Sequence, residues 1–560
     1  MTQSTLIPET LLVRGYRQWL DRQAGDMPAP LREAILSLVG AVETGHVCIR
    51  LPAETTAQWP AHDWIGAPGD YAPFILESGG RFYLARYHDH EESVARLLHT
   101  RARRKLAPAA PDLLCRDLAA LFPDDPEDRQ RQAALLAQFR ALTLVSGGPG
   151  TGKTTTVVKL LAMLAAQPAE RPLRIRLAAP TGKAAQRLME SIRASKSALG
   201  LAPEHAARIP EEAQTLHRLL GAQGDTGRFR HHRDSPLACD LLLVDEASMV
   251  DLALMHAVLD ALPPEARLIL LGDKDQLASV EAGSVFGDLC ADAGASAALA
   301  AELEPYGVSL PVAAAATVLG DCRIELIRSY RFDAASGIGV LAHAARTGDD
   351  VAFFAAFAGS AVLTRCERSE LRERVSAGYA GFRAAARGGD PAEAFAAFLR
   401  FRVLCGHRQG GAGVEGVNAL LEPAGGGWYV GRPVIVRAND YALRLFNGDI
   451  GICLDTPDGL RVFFEAGPGQ YRVLAPGRLP AHEPAWAMTV HQSQGSEFDA
   501  VLLVLPEAMT PVLNRPLVYT AVTRARARFT LCAPDAILAG ALAALPQRES
   551  GLVDKLRAPA

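Results

Sequence analysis

The stretch SGGPGTGKTTT (146–156) holds the most specific chemistry in the chain: Gly147, Gly152, Lys153 and Thr154 fit G-x-x-x-x-G-K-[ST] without deviation. Glycines let backbone N–H groups close on phosphate oxygens, and a helix opening at the lysine adds the positive end of its dipole. Lys153 is expected to reach the β- and γ-phosphates, and the Thr154 hydroxyl to ligate Mg²⁺. The run Gly147, Gly148, Pro149, Gly150, Thr151, Gly152, Lys153, Thr154 and Thr155 is therefore a candidate cradle for a nucleoside triphosphate.

Two further stretches supply what hydrolysis needs. In LLLVDEAS (241–248) four apolar residues read as a buried strand, with Asp245 and Glu246 at its carboxyl end, where α/β sheets hold ligands. Asp245 suits the Mg²⁺ shell. Glu246 is placed to orient or deprotonate an attacking water, which points to hydrolysis rather than transfer to a second substrate. LILLGDKDQL (268–277) reads as another strand, and Gln276 beyond it offers an amide to the γ-phosphate or its water. Paired carboxylates and polar loops are also ordinary surface features; it is their order behind the cradle that favours the chemical reading.

Such residues need a parallel sheet to hold them. LTLV (142–145), RIRLAA (174–179), LLLV (241–244) and LILL (268–271) alternate with helical stretches, the pattern of buried parallel strands. A second α/β texture begins at FRVLC (401–405) and returns at AVLLVL (500–505) and RFTLC (528–532). Between them, residues 431–464 alternate β-branched and polar positions around the turns FNGD and PDG, predicting a small antiparallel β unit. Residues 1 to about 105 read as mostly helical, ending in RARRK (101–105), taken as a solvated helix end in preference to a nucleic-acid contact. LAPAAPD (106–112) and FPDDPED (122–128) read as boundary. The Ala-rich stretch 291–321 is expected to be an insertion or flexible connector, and 333–400 helical.

Composition narrows the classes. With 58 basic and 62 acidic residues in 560, the net charge is −4. That gives no global basic footprint, but a nucleic-acid groove needs only local positive charge. Nine cysteines without a CxxC pair indicate neither a disulfide framework nor a zinc site, and fit a reducing cytosol. The first residues lack the apolar core of a signal peptide, and no apolar run reaches about 18 residues. A cytoplasmic protein with no membrane partner is expected.

RSYRF (328–332) and VYTAVTRARAR (518–528) place Arg331 and Arg524 far downstream of the cradle. A permanently ionised planar guanidinium suits transition-state phosphate charge, although spacing alone does not separate such fingers from surface arginines. If both serve one nucleotide, the site is a cleft between two cores that hydrolysis opens and closes. The cradle, VDEASMVD, LGDKDQL, RSYRF, TVHQSQGSEFD (489–499) and YTAVTRAR (519–526), in this order, resemble superfamily 1 helicases. Among them the motifs most resemble the RecD family, the alpha subunits of bacterial exodeoxyribonuclease V (RecBCD).

The resemblance runs from about residue 129 to 532. It implies an α/β fold of two RecA-like P-loop domains with ATP between them, single-stranded DNA across their top, and 5′→3′ movement. It further implies duplex DNA ends as substrate and RecB and RecC as partner subunits. The domains expected are a helical, partner-docking N-terminal domain (1–110), a first core (111–330) and a second core (331–560) with an SH3-like β insertion at about 428–480. In DRQRQA (128–133), Gln130 resembles the family's adenine-reading element, although a solvated helix glutamine fits nearly as well.

On the DNA side, APTGKAAQRL (179–188) puts Thr181, Gly182 and Lys183 at a helix N-terminus suited to one backbone phosphate. TLHRLLG (215–221) offers Thr215 and His217, the latter also readable as a partly buried histidine. In the second core Thr489, His491 and Ser493 are the matching DNA contacts, while Gln494, Gly495 and Glu497 couple them to the nucleotide. One departure is Gln492, where the family commonly has Lys. GAQGDTGRFRHHRD (221–234) predicts a hairpin made basic by Arg228, Arg230, His231, His232 and Arg233, a duplex-splitting pin or simply a solvated turn.

Two other readings compete. A freestanding RecD-like helicase shares every motif above. A P-loop regulatory switch would use the cradle without moving along DNA, and would show no DNA-stimulated hydrolysis. No carboxylate cluster outside the nucleotide site resembles a nuclease metal centre.

Overall fold

The structure, a computed structural model, describes residues 10–23, 27–59, 62–107, 111–168, 171–224, 227–292, 294–331, 336–423, 426–440, 442–467 and 469–557. The chain divides into two compact units. One comprises the chain up to Lys274, then Ala278–Arg328 and the C-terminal segment from Gln547; the other comprises Asp275–Leu277 and Ser329–Pro546.

The first unit opens with two helices, Leu11–Gln23 and Ala29–Glu43, followed by four short strands: β1 (Cys48–Arg50), β2 (Ile65–Gly66), β3 (Phe74–Leu76) and β4 (Arg81–Leu84). They form one sheet in the order β1-β4-β3-β2. The N-terminal region, expected to be mostly helical, also carries this sheet, with Phe74, Phe82 and Ile35 buried between sheet and helices. The helix Ala85–Arg103 leaves this sheet and packs on the helix Leu252–Ala261 of the following core. The basic run at its end is solvated only in part: Arg103 and Lys105 are exposed, but Arg101 is not. Arg101 is 2% exposed, and its guanidinium donates to the carbonyls of Leu262 (2.8 Å) and Pro263 (3.2 Å), closing the end of the helix it packs against.

Six strands make the core: β5 (Leu142–Gly147), β6 (Ile175–Ala179), β7 (Ala213–Thr215), β8 (Leu241–Val244), β9 (Arg267–Gly272) and β10 (Arg323–Leu326). Their order is β10-β5-β9-β8-β6-β7, and every pairing is parallel. Central strands β5 and β8 are buried along their whole length, which is why they read as unbroken apolar runs. The Ala-rich stretch after residue 291 is no loose connector. It holds the helix Ala297–Leu303, whose Leu299 and Leu303 lie in the core with Tyr306, Val308 and Leu310. The carbonyls of Tyr306 and Ser309 accept from Arg131 and Gln132, which lie on the helix Arg129–Phe139.

The C-terminal segment, expected with the second core, belongs instead to the first unit. Glu91, wholly buried, accepts the Gly551 N–H and the Ser550 hydroxyl (both 2.9 Å) and the Tyr83 hydroxyl (3.0 Å). Lys555 reaches Glu92 (2.6 Å) and Glu77 (2.7 Å). Burial works to raise Glu77, but hydrogen bonds from His88 and Lys555 and the charges of Lys555 and Arg81 bring it down to about 2. A Cβ on Gly551 would stand 2.3 Å from the Tyr83 hydroxyl, so the segment seats only with glycine there.

The second unit holds a five-stranded parallel sheet of β11 (Leu363–Arg365), β12 (Phe401–Cys405), β18 (Ala487–Thr489), β19 (Phe498–Val504) and β20 (Ala525–Cys532), ordered β11-β20-β19-β12-β18. Between β12 and β18 the chain makes β13 (Pro433–Val436), β14 (Ile450–Leu454), β15 (Arg461–Gly467), β16 (Gln470–Leu474) and β17 (His482–Pro484). These pair antiparallel in the order β16-β15-β14-β13-β17. The turn glycines Gly448 and Gly459 take φ of 94° and 88°, as the FNGD and PDG signals require. Among the described residues no helix is long and apolar enough to cross a membrane.

Candidate nucleotide site

The phosphate loop leaves the end of β5 and enters the helix Lys153–Ala166. Gly150 and Gly152 adopt φ of 78° and 80°, a left-handed backbone that glycine takes without a Cβ penalty. Gly147 is fixed by space instead, since a Cβ would lie 2.7 Å from Thr151 Oγ1 and 2.9 Å from Leu326 Cβ. The loop closes on itself: Thr151 Oγ1 donates to the Gly148 carbonyl (2.8 Å), and Lys153 Nζ donates to the carbonyls of Gly147 (2.5 Å) and Gly148 (3.1 Å). Thr154 is half-buried and Thr155 exposed, at the start of the helix. Gln130 is buried beside the loop, and its amide donates to the Thr151 carbonyl (3.2 Å). It therefore braces the cradle and is not a solvated helix residue.

Asp245 and Glu246 follow β8 at the same carboxyl end of the parallel sheet. The Asp245 N–H continues the ladder to the Ala178 carbonyl (2.9 Å), and its carboxylate accepts the Glu246 N–H (2.9 Å). Burial first, and then the adjacent Glu246 carboxylate, push Asp245 up to about 6, while the Lys153 ammonium pulls it down. Glu246 stands at φ 52°, in the left-handed region that a non-glycine residue rarely occupies. A strained backbone at a carboxylate beside a phosphate loop is the kind of outlier that marks a functional position. The donor set of Thr154 hydroxyl and Asp245 carboxylate is all oxygen, as Mg²⁺ requires, and the Gly147 cradle has no room for a side chain.

Further along the sheet, β6 and β7 pair Ala179 with Thr215, which brings the two segments expected on the DNA side together at adjacent strand ends. The Thr181 hydroxyl caps the helix Gly182–Leu199 by accepting from Ala184 N (3.2 Å), with Gly182 and Lys183 in its first turn. Thr215 caps the next helix by accepting from Arg218 N (3.2 Å). The His217 ring packs against Phe229, 5.9 Å between centroids. Ala222 and Phe229 form an antiparallel bridge, so Arg228, Arg230, His231, His232 and Arg233 do sit on a reversal of the chain; Asp225 and Thr226 of its expected turn lie outside the described residues.

In the second unit, Gln276 is 5% exposed. Its neighbour Leu277 donates its N–H to Thr520 Oγ1 (3.1 Å) and accepts the Gln494 amide (2.8 Å). The segment 489–497 is held by its own side chains. Gln492 Oε1 accepts from Thr489 N (3.1 Å) and Thr489 Oγ1 (3.3 Å). Ser493, expected at the DNA backbone, is wholly buried and donates to the Val490 carbonyl (2.6 Å), so it supports the turn that carries Thr489 and His491. Gly495 takes φ 67°. Arg524, 2% exposed, donates to the carbonyls of Ser496 (3.1 Å) and Thr520 (3.2 Å). Arg331 pairs with Glu497 (2.7 Å). Arg526, which the sequence reading passed over, holds the same carboxylate; the second arginine of TRAR was its only signal.

A parallel sheet with a glycine cradle at one strand end and a carboxylate pair at another defines a P-loop nucleotide hydrolase. Residues 130–282 match an AAA domain, and residues 484–532 a UvrD-like helicase C-terminal domain. The chain is 39% identical to the RecBCD enzyme subunit RecD of Mycolicibacterium smegmatis, covering 95% of each protein. It is 36% identical to the subunit of that name from Haemophilus influenzae, over 88% of this chain and 84% of the relative. With the ATP-dependent RecD2 DNA helicase of Deinococcus radiodurans it shares 32% identity, over 96% of this chain and 67% of the relative. A solved structure of Bacteroides Pif1 bound to single-stranded DNA aligns with 74% of the chain at a TM-score of 0.41 and 17% identity, over 94% of that protein. The chain belongs to the RecD family of superfamily 1 helicases.

Proposed function

We propose that this chain is the RecD subunit of a RecBCD-type helicase–nuclease, an ATP-dependent DNA helicase that moves 5′→3′ from duplex ends with RecB and RecC. Its identity to RecD subunits, 39% against 32% for the RecD2 helicase, supports the subunit over a freestanding enzyme. The observation that carries the hydrolytic reading is the carboxylate pair Asp245 and Glu246 at the end of β8, with Glu246 held at φ 52°, in the same parallel sheet whose β5 leads into the glycine cradle.

Lys153 exchanges its loop carbonyls for phosphate oxygens, and Gln130 holds the loop in place beside the adenine. Bound Mg²⁺, held by Thr154 and Asp245, would neutralise phosphate charge. Glu246 orients the attacking water, Gln276 reports the γ-phosphate, and Arg331 and Arg524 supply positive charge for the transition state. Thr181, Lys183, Thr215, His217, Thr489 and His491 hold the strand by its backbone, and the antiparallel sheet β13–β17 is an SH3-like cover for it. Separating duplex costs roughly 1.4 kcal/mol of stacking per step, a cost repeated at each base and met by ATP.

Lys153→Ala is the test. It is expected to abolish DNA-stimulated ATP hydrolysis and strand displacement with the melting temperature unchanged; retained unwinding overturns the reading. Substrates with 5′ or 3′ overhangs, run with and without partner subunits, check direction and assembly.

A further inference from the structure

Positive charge in the second unit gathers on two consecutive helices, Leu371–Gly378 and Ala380–Gly388, which line an open groove of about 880 Å³. Inward, these helices bury Leu371, Val375, Tyr379, Phe382 and Ala386 together with Val403 and Leu502 of the parallel sheet, which leaves their polar positions on the outer face. Arg372 and Ser376 lie four residues apart on the first helix, and Arg383 and Arg387 four apart on the second. Each pair therefore shares a face, and all four line the groove. Ala377 and Ala380, both exposed, line it as well and add little bulk.

The fold leaves this charge uncompensated. Arg372 and Arg387 are exposed, and among the described residues neither is in an ion pair, whereas Arg374 pairs with Glu370 (3.7 Å). Arg383 is half-buried. Its guanidinium stands over the Trp486 ring, 5.3 Å from the centroid, and Nη1 donates to Ser376 Oγ (3.1 Å). Such stacking fixes the planar donor fork before a ligand arrives. Glu373 is the single carboxylate in the lining, so the groove is net positive.

Guanidinium forks and a serine hydroxyl are common donors to phosphate oxygens. None of the residues lining the groove is aromatic, so bases find nothing there to stack on, and the backbone is what it can hold. Helices of eight and nine residues span about 12 to 14 Å, the reach of a short run of one strand. The Trp486 that seats Arg383 directly precedes β18, whose other end is Thr489, about 10 Å further along.

We propose that this groove holds the sugar–phosphate backbone of single-stranded DNA through Arg372, Arg383 and Arg387, a contact additional to Thr489 and His491 that does not read sequence. The inference rests on the reading of this chain as a motor on single-stranded DNA.

The experiment is binding of a fluorescent oligothymidine by the full chain, read by anisotropy across a salt series, for wild type, the double variant Arg372→Gln/Arg387→Gln, and Glu373→Gln. The double variant is expected to bind about five- to twentyfold more weakly at low salt, with its melting temperature unchanged. Its slope of log K against log salt should be shallower by about 1.4, for two lost phosphate contacts. Glu373→Gln removes the opposing charge and should tighten binding about two- to threefold. An unchanged slope in the double variant, or weaker binding by Glu373→Gln, overturns the proposal. So does a labelled polyglutamate peptide that binds wild type and loses its affinity in the double variant while oligothymidine binding stays the same, since the groove then takes an acidic polypeptide. If wild type itself does not bind oligothymidine, the motor reading beneath falls with the inference; if wild type binds and the double variant matches it, this inference alone falls.

Discussion

Two loops in this molecule hold cations proposed to act on phosphate, and they are built from different materials. The loop 147–153 of the first unit is made of backbone: its turns depend on Gly150 and Gly152, and Lys153 rests on the carbonyls of Gly147 and Gly148. The segment 489–497 of the second unit is made of side chains: Gln492 on Thr489, Ser493 on Val490, Glu497 on Arg331 and Arg526. Neutral dipoles hold Lys153, so phosphate oxygens, which carry full charge, displace them readily. An ion pair with Glu497 holds Arg331. The difference teaches which kind of substitution damages each loop: added volume in the first, lost bonding in the second.

The largest expected effect separates the two arginines of the second unit. Arg524→Ala removes a guanidinium that is 2% exposed and takes from the Ser496 carbonyl its side-chain donor, while the Thr520 carbonyl keeps that of the Thr523 hydroxyl. It should lower kcat by about 10³ or more and also lower the melting temperature. Arg331→Ala should lower kcat on a similar scale and leave the melting temperature in place, because the half-buried Arg331 gives up one ion pair while Arg526 keeps Glu497 satisfied. Rates and thermal melts of the two variants check this; equal stability losses would show that Arg331 is as structural as Arg524.

A smaller effect is expected from adding a single methyl to the backbone-built loop. Gly147→Ala puts a Cβ within 2.7 Å of Thr151 Oγ1 and 2.9 Å of Leu326 Cβ, both on tightly packed segments. The loop must shift by a few tenths of an ångström, which displaces the carbonyls that seat Lys153. Nucleotide affinity should fall roughly tenfold or more, read by titration with a fluorescent ATP analogue. Unchanged affinity would mean that the loop yields more easily than its packing indicates.

This contrast also explains what could be read before the fold was known. Glycine spacing in 147–152 is visible in a single sequence because backbone chemistry permits few residues there. Strands β5, β8 and β9 were visible for a similar reason, since burial on both faces demands an unbroken apolar run. Strands β2, β7 and β11, of two or three residues, are too short to show a period, and the N-terminal sheet was missed with them. Charge was misread wherever tertiary partners decide. Arg101 looks solvated inside RARRK but closes a helix end in the core, and the tail beyond Gln547 is seated by Glu91, Glu77 and Glu92, which no local pattern announces. The segment 489–497 fell between these cases: its motif was legible, but the inward bond of Ser493 and the second grip of Arg526 were not, because both depend on which way a side chain turns.

The smallest effect tests the departure at Gln492. Its Oε1 accepts both the N–H and the hydroxyl of Thr489, while Thr489 Oγ1 accepts Gln492 N (3.2 Å), a closed ring of bonds. Lysine donates only, so Gln492→Lys opens the ring at a cost of about 1 kcal/mol and frees the Thr489 hydroxyl. In return it sets a positive charge next to a residue expected at a DNA phosphate. Single-stranded DNA affinity measured by anisotropy across a salt series should then rise at low salt, with the slope of log K against log salt steeper by about 0.7 for one added phosphate contact. An unchanged slope would place residue 492 away from the strand, and the side-chain bonds of this loop would then serve the nucleotide side alone.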